Sequence, residues 1–141
     1  MRLIRTALPG ILLLVGIALN GFSNDAPFAT KVVSMEYPRL AALAQITGTV
    51  VLRVRIDRTG GVLGASGLSG HPVLTKGALA NIAQWKFSAG RSSGDKSESE
   101  FDFTYVFELR GETESSRPCS SLTYEYPNKV TIVSEAPLCM P

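Results

Sequence analysis

The residues able to do chemistry in this chain are few and scattered. The single histidine, His71, stands immediately before Pro72. As a general base it would need a nucleophile and an orienting partner within reach. No motif holding such a pair surrounds it, so the sequence assigns it to the start of a helix. Asp57 opens Asp57-Arg58-Thr59-Gly60-Gly61, which is turn chemistry rather than the setting of a catalytic carboxylate. Glu98, Glu100 and Asp102 alternate with Ser99 and Phe101. Acids two apart on a strand share one face, and the pattern reads as a solvated face rather than a cation site. Trp85 could stack on a ligand, but three residues after Ile82 it continues a core-facing helical stripe. The glycines between Gly60 and Gly70 do not follow a phosphate-binding spacing. Cys119 and Cys139, with His71 far away, are too few for a metal site. In an exported chain they read as a disulfide. The sequence therefore assigns no catalytic residue, no metal and no cofactor, and the chemistry left is binding.

The chain has 141 residues and a formal net charge of +2, which bounds it to one domain with additions at its ends. Arg2 and Arg5 followed by an apolar stretch from Leu8 to Leu19 form a secretory leader, and Gly21 and Ser23 suit a cleavage site before Asn24. Retention of residues 1–23 as a membrane anchor is the alternative. Without the leader the chain carries 12 basic against 12 acidic residues, so its net charge is zero. That balance excludes the basic face of a nucleic-acid binder. The expected organisation is a leader over 1–23, a domain over 24–110, and a linker with a cysteine-bridged tail over 111–141.

Elements must hold these residues in place. Val50, Leu52, Val54 and Ile56 alternate with Val51, Arg53, Arg55 and Asp57 in a stretch beginning at Gly48, which predicts a half-buried strand. The turn at Asp57–Gly61 leads into a return strand, Val62 to Leu68, whose glycines predict a bulge or irregular edge. Phe101, Phe103, Tyr105 and Phe107 alternate with polar residues through Glu108, the strongest strand pattern in the chain. Tyr37-Pro38 opens one short helix, expected to dock through Leu40, Leu43 and Ala44 and to end at Thr47-Gly48. His71-Pro72 opens a second, with Leu74, Ala78, Ile82 and Trp85 on one face. The fold expected is α+β, two helices packed on a three-stranded antiparallel sheet in the order return strand, first strand, last strand. That order sets Arg53 and Arg55 beside Glu100, Asp102 and Glu108. In the tail, Leu122–Tyr126 and Val130–Val133 flank Pro127-Asn128-Lys129, a hairpin expected to be stapled by Cys119 and Cys139.

This order of pieces resembles the C-terminal domain of the TonB family of periplasmic energy transducers. The residues that carry the resemblance are Tyr37-Pro38 with Ala41 and Ala42, the strand Gly48–Asp57, Gly60, Val62, Ser69-Gly70 and Trp85-Lys86-Phe87. It covers Val33 to Leu109. The resemblance implies an exported, non-enzymatic binding module in which the last strand receives an extended segment, the TonB box of an outer-membrane transporter plug, by strand addition. The implied partner-binding residues are Glu100, Asp102, Thr104, Val106 and Glu108, and the implied location is the periplasm or secretion, or the inner membrane if the leader is retained. An anchored energy transducer and a strand-paired homodimer are the alternatives. Proline at Thr104 and at Val106 is expected to act on different edges of the strand, costing stability at one and binding at the other.

Overall fold

The computed structural model of the chain describes residues 26–88, 97–113 and 119–137. Strand β1 (Phe28–Lys31) is followed by helix α1 (Arg39–Leu43), strands β2 (Gly48–Asp57) and β3 (Val62–Ser69), helix α2 (Pro72–Ile82) and strand β4 (Lys86–Ser88). Strands β5 (Glu98–Thr113), β6 (Ser121–Glu125) and β7 (Lys129–Pro137) complete it. One sheet has five strands in the order β3-β2-β5-β7-β6, and β1 and β4 form a separate two-stranded ribbon.

The β3-β2-β5 order is the one expected, and β2 pairs with both neighbours in antiparallel fashion. The size and kind of the sheet are not. The chain is predominantly β, its sheet is mixed, and the tail supplies two of the five strands: β7 lies parallel to β5, and β6 lies antiparallel to β7. The three-stranded antiparallel α+β expectation is thereby overturned. The physical reason is visible in the tail itself. Val130 and Ile132 are fully buried, Ser134 and Ala136 nearly so, while Lys129, Thr131 and Val133 face the other way. That is the same period-2 face that β2 presents, and it joins the same core. The disulfide-stapled hairpin is corrected with it. Cys119 is a free, exposed cysteine, Cys139 lies outside the described residues, and the hairpin is held by packing into the sheet.

The expected core face of β2 and β5 is observed. Val50, Leu52, Val54, Ile56, Phe103, Tyr105 and Phe107 are all buried, beneath Leu74, Ala78 and Ile82 of α2 and Trp85 just beyond it. Trp85 meets Phe103 edge-on at 5.3 Å and Tyr124 of β6 at 6.0 Å between ring centroids. The docking face of α1 differs from the expectation. Leu40 is 71% and Leu43 42% exposed, Ala44 is exposed too, and the buried residues are Ala41 and Ala42. Two adjacent alanines let the helix backbone lie close to its neighbours, and the large apolar contacts come instead from Tyr37, which meets Phe107 edge-on. Gln45, at φ 53°, ends the helix two residues before Thr47.

One further contact fixes an end of the sheet. The β2–β3 turn leans on β4, where Phe87 N–H donates to Gly60 C=O at 2.9 Å. A Cβ at Gly60 would lie 1.6 Å from the Phe87 oxygen, and its φ is +83°, so only glycine fits. The β3 edge is irregular as expected, with register shifts between Val51 and Leu52 and between Arg55 and Ile56 of its partner strand.

Candidate partner-binding edge

Strand β5 places the five implied binding residues on one face. Phe103, Tyr105 and Phe107 turn inward, so Glu100, Asp102, Thr104, Val106 and Glu108 turn outward. The outward face carries the expected charge match with β2. Arg53 Nε lies 2.9 Å from Asp102 Oδ1 and 3.4 Å from Glu100 Oε1, and Arg55 lies 3.8 Å from Glu98. The hydrogen bond that Arg53 donates to the Asp102 carboxylate holds the guanidinium above its ordinary pKa, with the Asp102 charge adding to it. Glu108 departs from the expected set and pairs with Arg110 at 2.9 Å on its own strand. These pairs are about half exposed, and solvent screens them.

Backbone direction matters more than side-chain direction for strand addition. β5 pairs with β2 without a break from Asp57↔Glu98 to Gly48↔Phe107, and its odd residues from Ser99 to Phe107 stand opposite the even residues of β2. Thr104 N–H donates to Asn128 C=O at 2.9 Å, so the even residues direct their N–H and C=O groups away from β2. That outer edge is partly filled. β7 pairs in parallel from Thr104↔Lys129 to Leu109↔Ser134. Thr104, Val106 and Glu108 therefore have their main-chain groups turned to the chain's own tail. Asp102 C=O accepts from Asn128 Nδ2 at 3.0 Å. Among the described residues no strand pairs with the outer edge of Glu98 to Asp102. Thr104 and Val106 are two residues apart and aim their N–H groups at the same edge, so prolines there do not separate stability from binding as expected.

The remaining chemistry-bearing residues sit in structural roles. His71 caps α2, its Nδ1 accepting from Val73 N–H at 3.3 Å. Asp57 Oδ1 accepts from Thr59 N–H, Thr59 Oγ1 and Gly61 N–H. These bonds, the Thr59 hydroxyl first, lower its pKa by favouring the carboxylate. Trp85 is core. A cleft of about 460 Å³ runs between Thr47–Thr49 and Val106–Arg110, and its only charged side chains are the mutually paired Glu108 and Arg110. Among the described residues no cluster of three metal-ligating side chains occurs.

One residue that organises the site escaped the sequence reading. Asn81 is 4% exposed. Its Oδ1 accepts from Trp85 Nε1 and from the Tyr105 hydroxyl, both at 2.9 Å. Its Nδ2 donates to Val33 C=O at 3.0 Å and to Ser34 C=O at 3.3 Å. One amide thus ties α2, β5 and the segment before α1 together. The signal was a lone polar residue four before the tryptophan of a buried stripe.

The sheet therefore has an edge of β5 that a strand of its own chain fills from Thr104 onward. The model of the Gram-negative bacterial TonB protein C-terminal family matches residues 33–109, more than half of the chain, and the chain belongs to that family. No characterised protein and no solved structure matches it. The family match ends within β5, so β6 and β7 lie beyond it. Domains of this family are periplasmic interaction modules that work with outer-membrane transporters, and they are not enzymes. The leader expected over residues 1–23 falls outside the described residues, and among those described no helix is long and apolar enough to cross a membrane.

Proposed function

We propose that the chain is an exported, periplasmic protein-binding module that captures an extended segment of an envelope protein, such as an outer-membrane transporter, by strand addition at β5. The observation that carries this reading is that β5 already accepts an added strand, β7, in parallel over six consecutive residues from Thr104 to Leu109. An edge that orders one strand outside the family domain has the geometry to order another. Of the five residues implied for binding, Glu100 and Asp102 lie on the stretch of β5 that β7 does not cover, while Thr104, Val106 and Glu108 pair with β7. Photo-crosslinking residues placed at Glu100 and at Lys76, an exposed position of α2, test this reading in intact envelopes. Adducts with an outer-membrane protein are expected from Glu100 and not from Lys76. Equal adducts from both sites, or none from Glu100, refute capture at this strand.

A further inference from the structure

The geometry points to the first five residues of β5, Glu98 to Asp102, as a docking slot for a short extended peptide with lysine or arginine at alternate positions. The inference rests on the reading that β5 captures partner strands, and it says where on β5 and which strands.

The tail keeps the edge from Thr104 onward for itself. Val130 and Ile132 are fully buried, and Tyr124 packs on Trp85 while accepting from Ala29 N–H at 3.0 Å. Ser120 Oγ accepts from Tyr37 N–H at 3.1 Å. Removing β7 would strip the core of these contacts, so an incoming strand has its place where β7 stops. There the edge is straight, because β2 backs it in unbroken register from Leu52↔Phe103 to Asp57↔Glu98. The main-chain groups of Glu98 and Glu100 and the N–H of Asp102 face outward, and Asn128 closes one end. Five residues of edge span roughly 17 Å.

The side chains select the occupant. Three carboxylates, Glu98, Glu100 and Asp102, share two guanidinium groups, with Arg53 divided between Glu100 and Asp102. Basic residues on the outer face of an incoming strand complete that pairing. On the other face the strand meets half-buried Phe101, which lies against Phe87 at 5.0 Å, so its alternate residues are apolar. A second copy is disfavoured at this edge, because antiparallel pairing of two β5 strands sets like acids opposite one another.

The test is amide chemical-shift mapping on the full chain with the peptide acetyl-Lys-Val-Lys-Val-Lys-amide and its glutamate counterpart. The lysine peptide is expected to shift the amides of Glu98, Glu100 and Asp102 and to bind at least tenfold more tightly than the glutamate peptide. The double variant Glu98→Lys/Glu100→Lys, checked as folded by its own spectrum, reverses that preference. No preference between the peptides overturns the proposal, as does concentration-dependent dimerisation through the slot. Shifts centred on Thr104 to Glu108 with loss of the β7 signals also overturn it, but leave strand capture at β5 standing. Shifts confined to β3 or β6 refute both.

Discussion

Replacing Asn81 by leucine removes one amide and leaves four groups without their partner. Two of these, Val33 C=O and Ser34 C=O, belong to residues that are half-buried or exposed, so water can replace the lost donor. The other two, Trp85 Nε1–H and the Tyr105 hydroxyl, belong to residues at 1% and 0% exposure, where water has no access. A buried donor left unsatisfied costs on the order of 1–3 kcal/mol. Two such donors, partly offset by the apolar area of leucine, give a loss of about 3 kcal/mol. Trp85 is the only tryptophan, so its fluorescence in urea titration reports unfolding from the perturbed site itself, and the slope of the transition should stay unchanged. Tyr105→Phe in the Asn81→Leu background supplies the cycle. Removing the hydroxyl costs about 1 kcal/mol alone and should cost nothing, or restore stability, once its acceptor is gone. A loss below about 1 kcal/mol for Asn81→Leu, or strict additivity in the double variant, refutes the reading of Asn81 as the hub that joins α2 to β5.

Three other outcomes follow from the structure. Ile132→Ala should lower stability by about 3 kcal/mol, as for other buried isoleucine truncations, in the same cooperative transition as the core; denaturant unfolding checks it, and a change below about 1 kcal/mol would separate the tail from the fold. Burial raises the Tyr37 phenol to about 12, and raises Tyr105 further and Tyr124 as well. The unfolded chain begins to ionise near pH 10, so the folded state binds more protons above that pH and loses stability as pH rises from about 10 through 12; absorbance at 295 nm should climb together with unfolding rather than before it. Cys119 should react with iodoacetamide in the native protein without a reductant, read by peptide mass mapping, and an unmodified Cys119 would contradict a free exposed thiol.

The parts of the fold legible in the sequence are those set by local period and turn chemistry. Val50 to Ile56 and Phe101 to Phe107 alternate strictly because each strand has one face in the core. Asp57 declares its turn because its carboxylate can satisfy the amides of Thr59 and Gly61 within the turn itself. His71-Pro72 declares a helix start for a similar reason. The tail was not legible in the same way. Val130 and Ile132 alternate with Thr131 and Val133 as clearly as the residues of β2 do, and the hairpin with β6 could be read. Its parallel docking onto β5 could not, because pairing between strands joined by a long connection leaves no local mark. For α1 the periodic leucines misled. Side-chain size argued for Leu40 and Leu43 inside, whereas close approach of the helix selected Ala41 and Ala42.

The added hairpin also bears on which edge the proposed capture can use. Adding β6 and β7 to β3, β2 and β5 makes β3 and β6 the outermost strands. β3 is bent by two register shifts, and bulges of this kind disfavour pairing with another chain. β6 is five residues long, and its neighbourhood is tied to Ala29 of β1 and to Tyr37 before α1 through Tyr124 and Ser120. β5 is 16 residues long and β7 is nine, so the two cannot match along their whole length. The mismatch falls at Glu98 to Asp102, where the main chain is backed by β2 and guarded by shared ion pairs. Charged side chains at an unpaired edge repel indiscriminate strands. They also choose among strands by sign, since a basic partner gains what an acidic one loses. Under the proposed capture at β5, length mismatch between neighbouring strands supplies the acceptor, and the alternation of β5 that builds the core on one face sets the charges on the other.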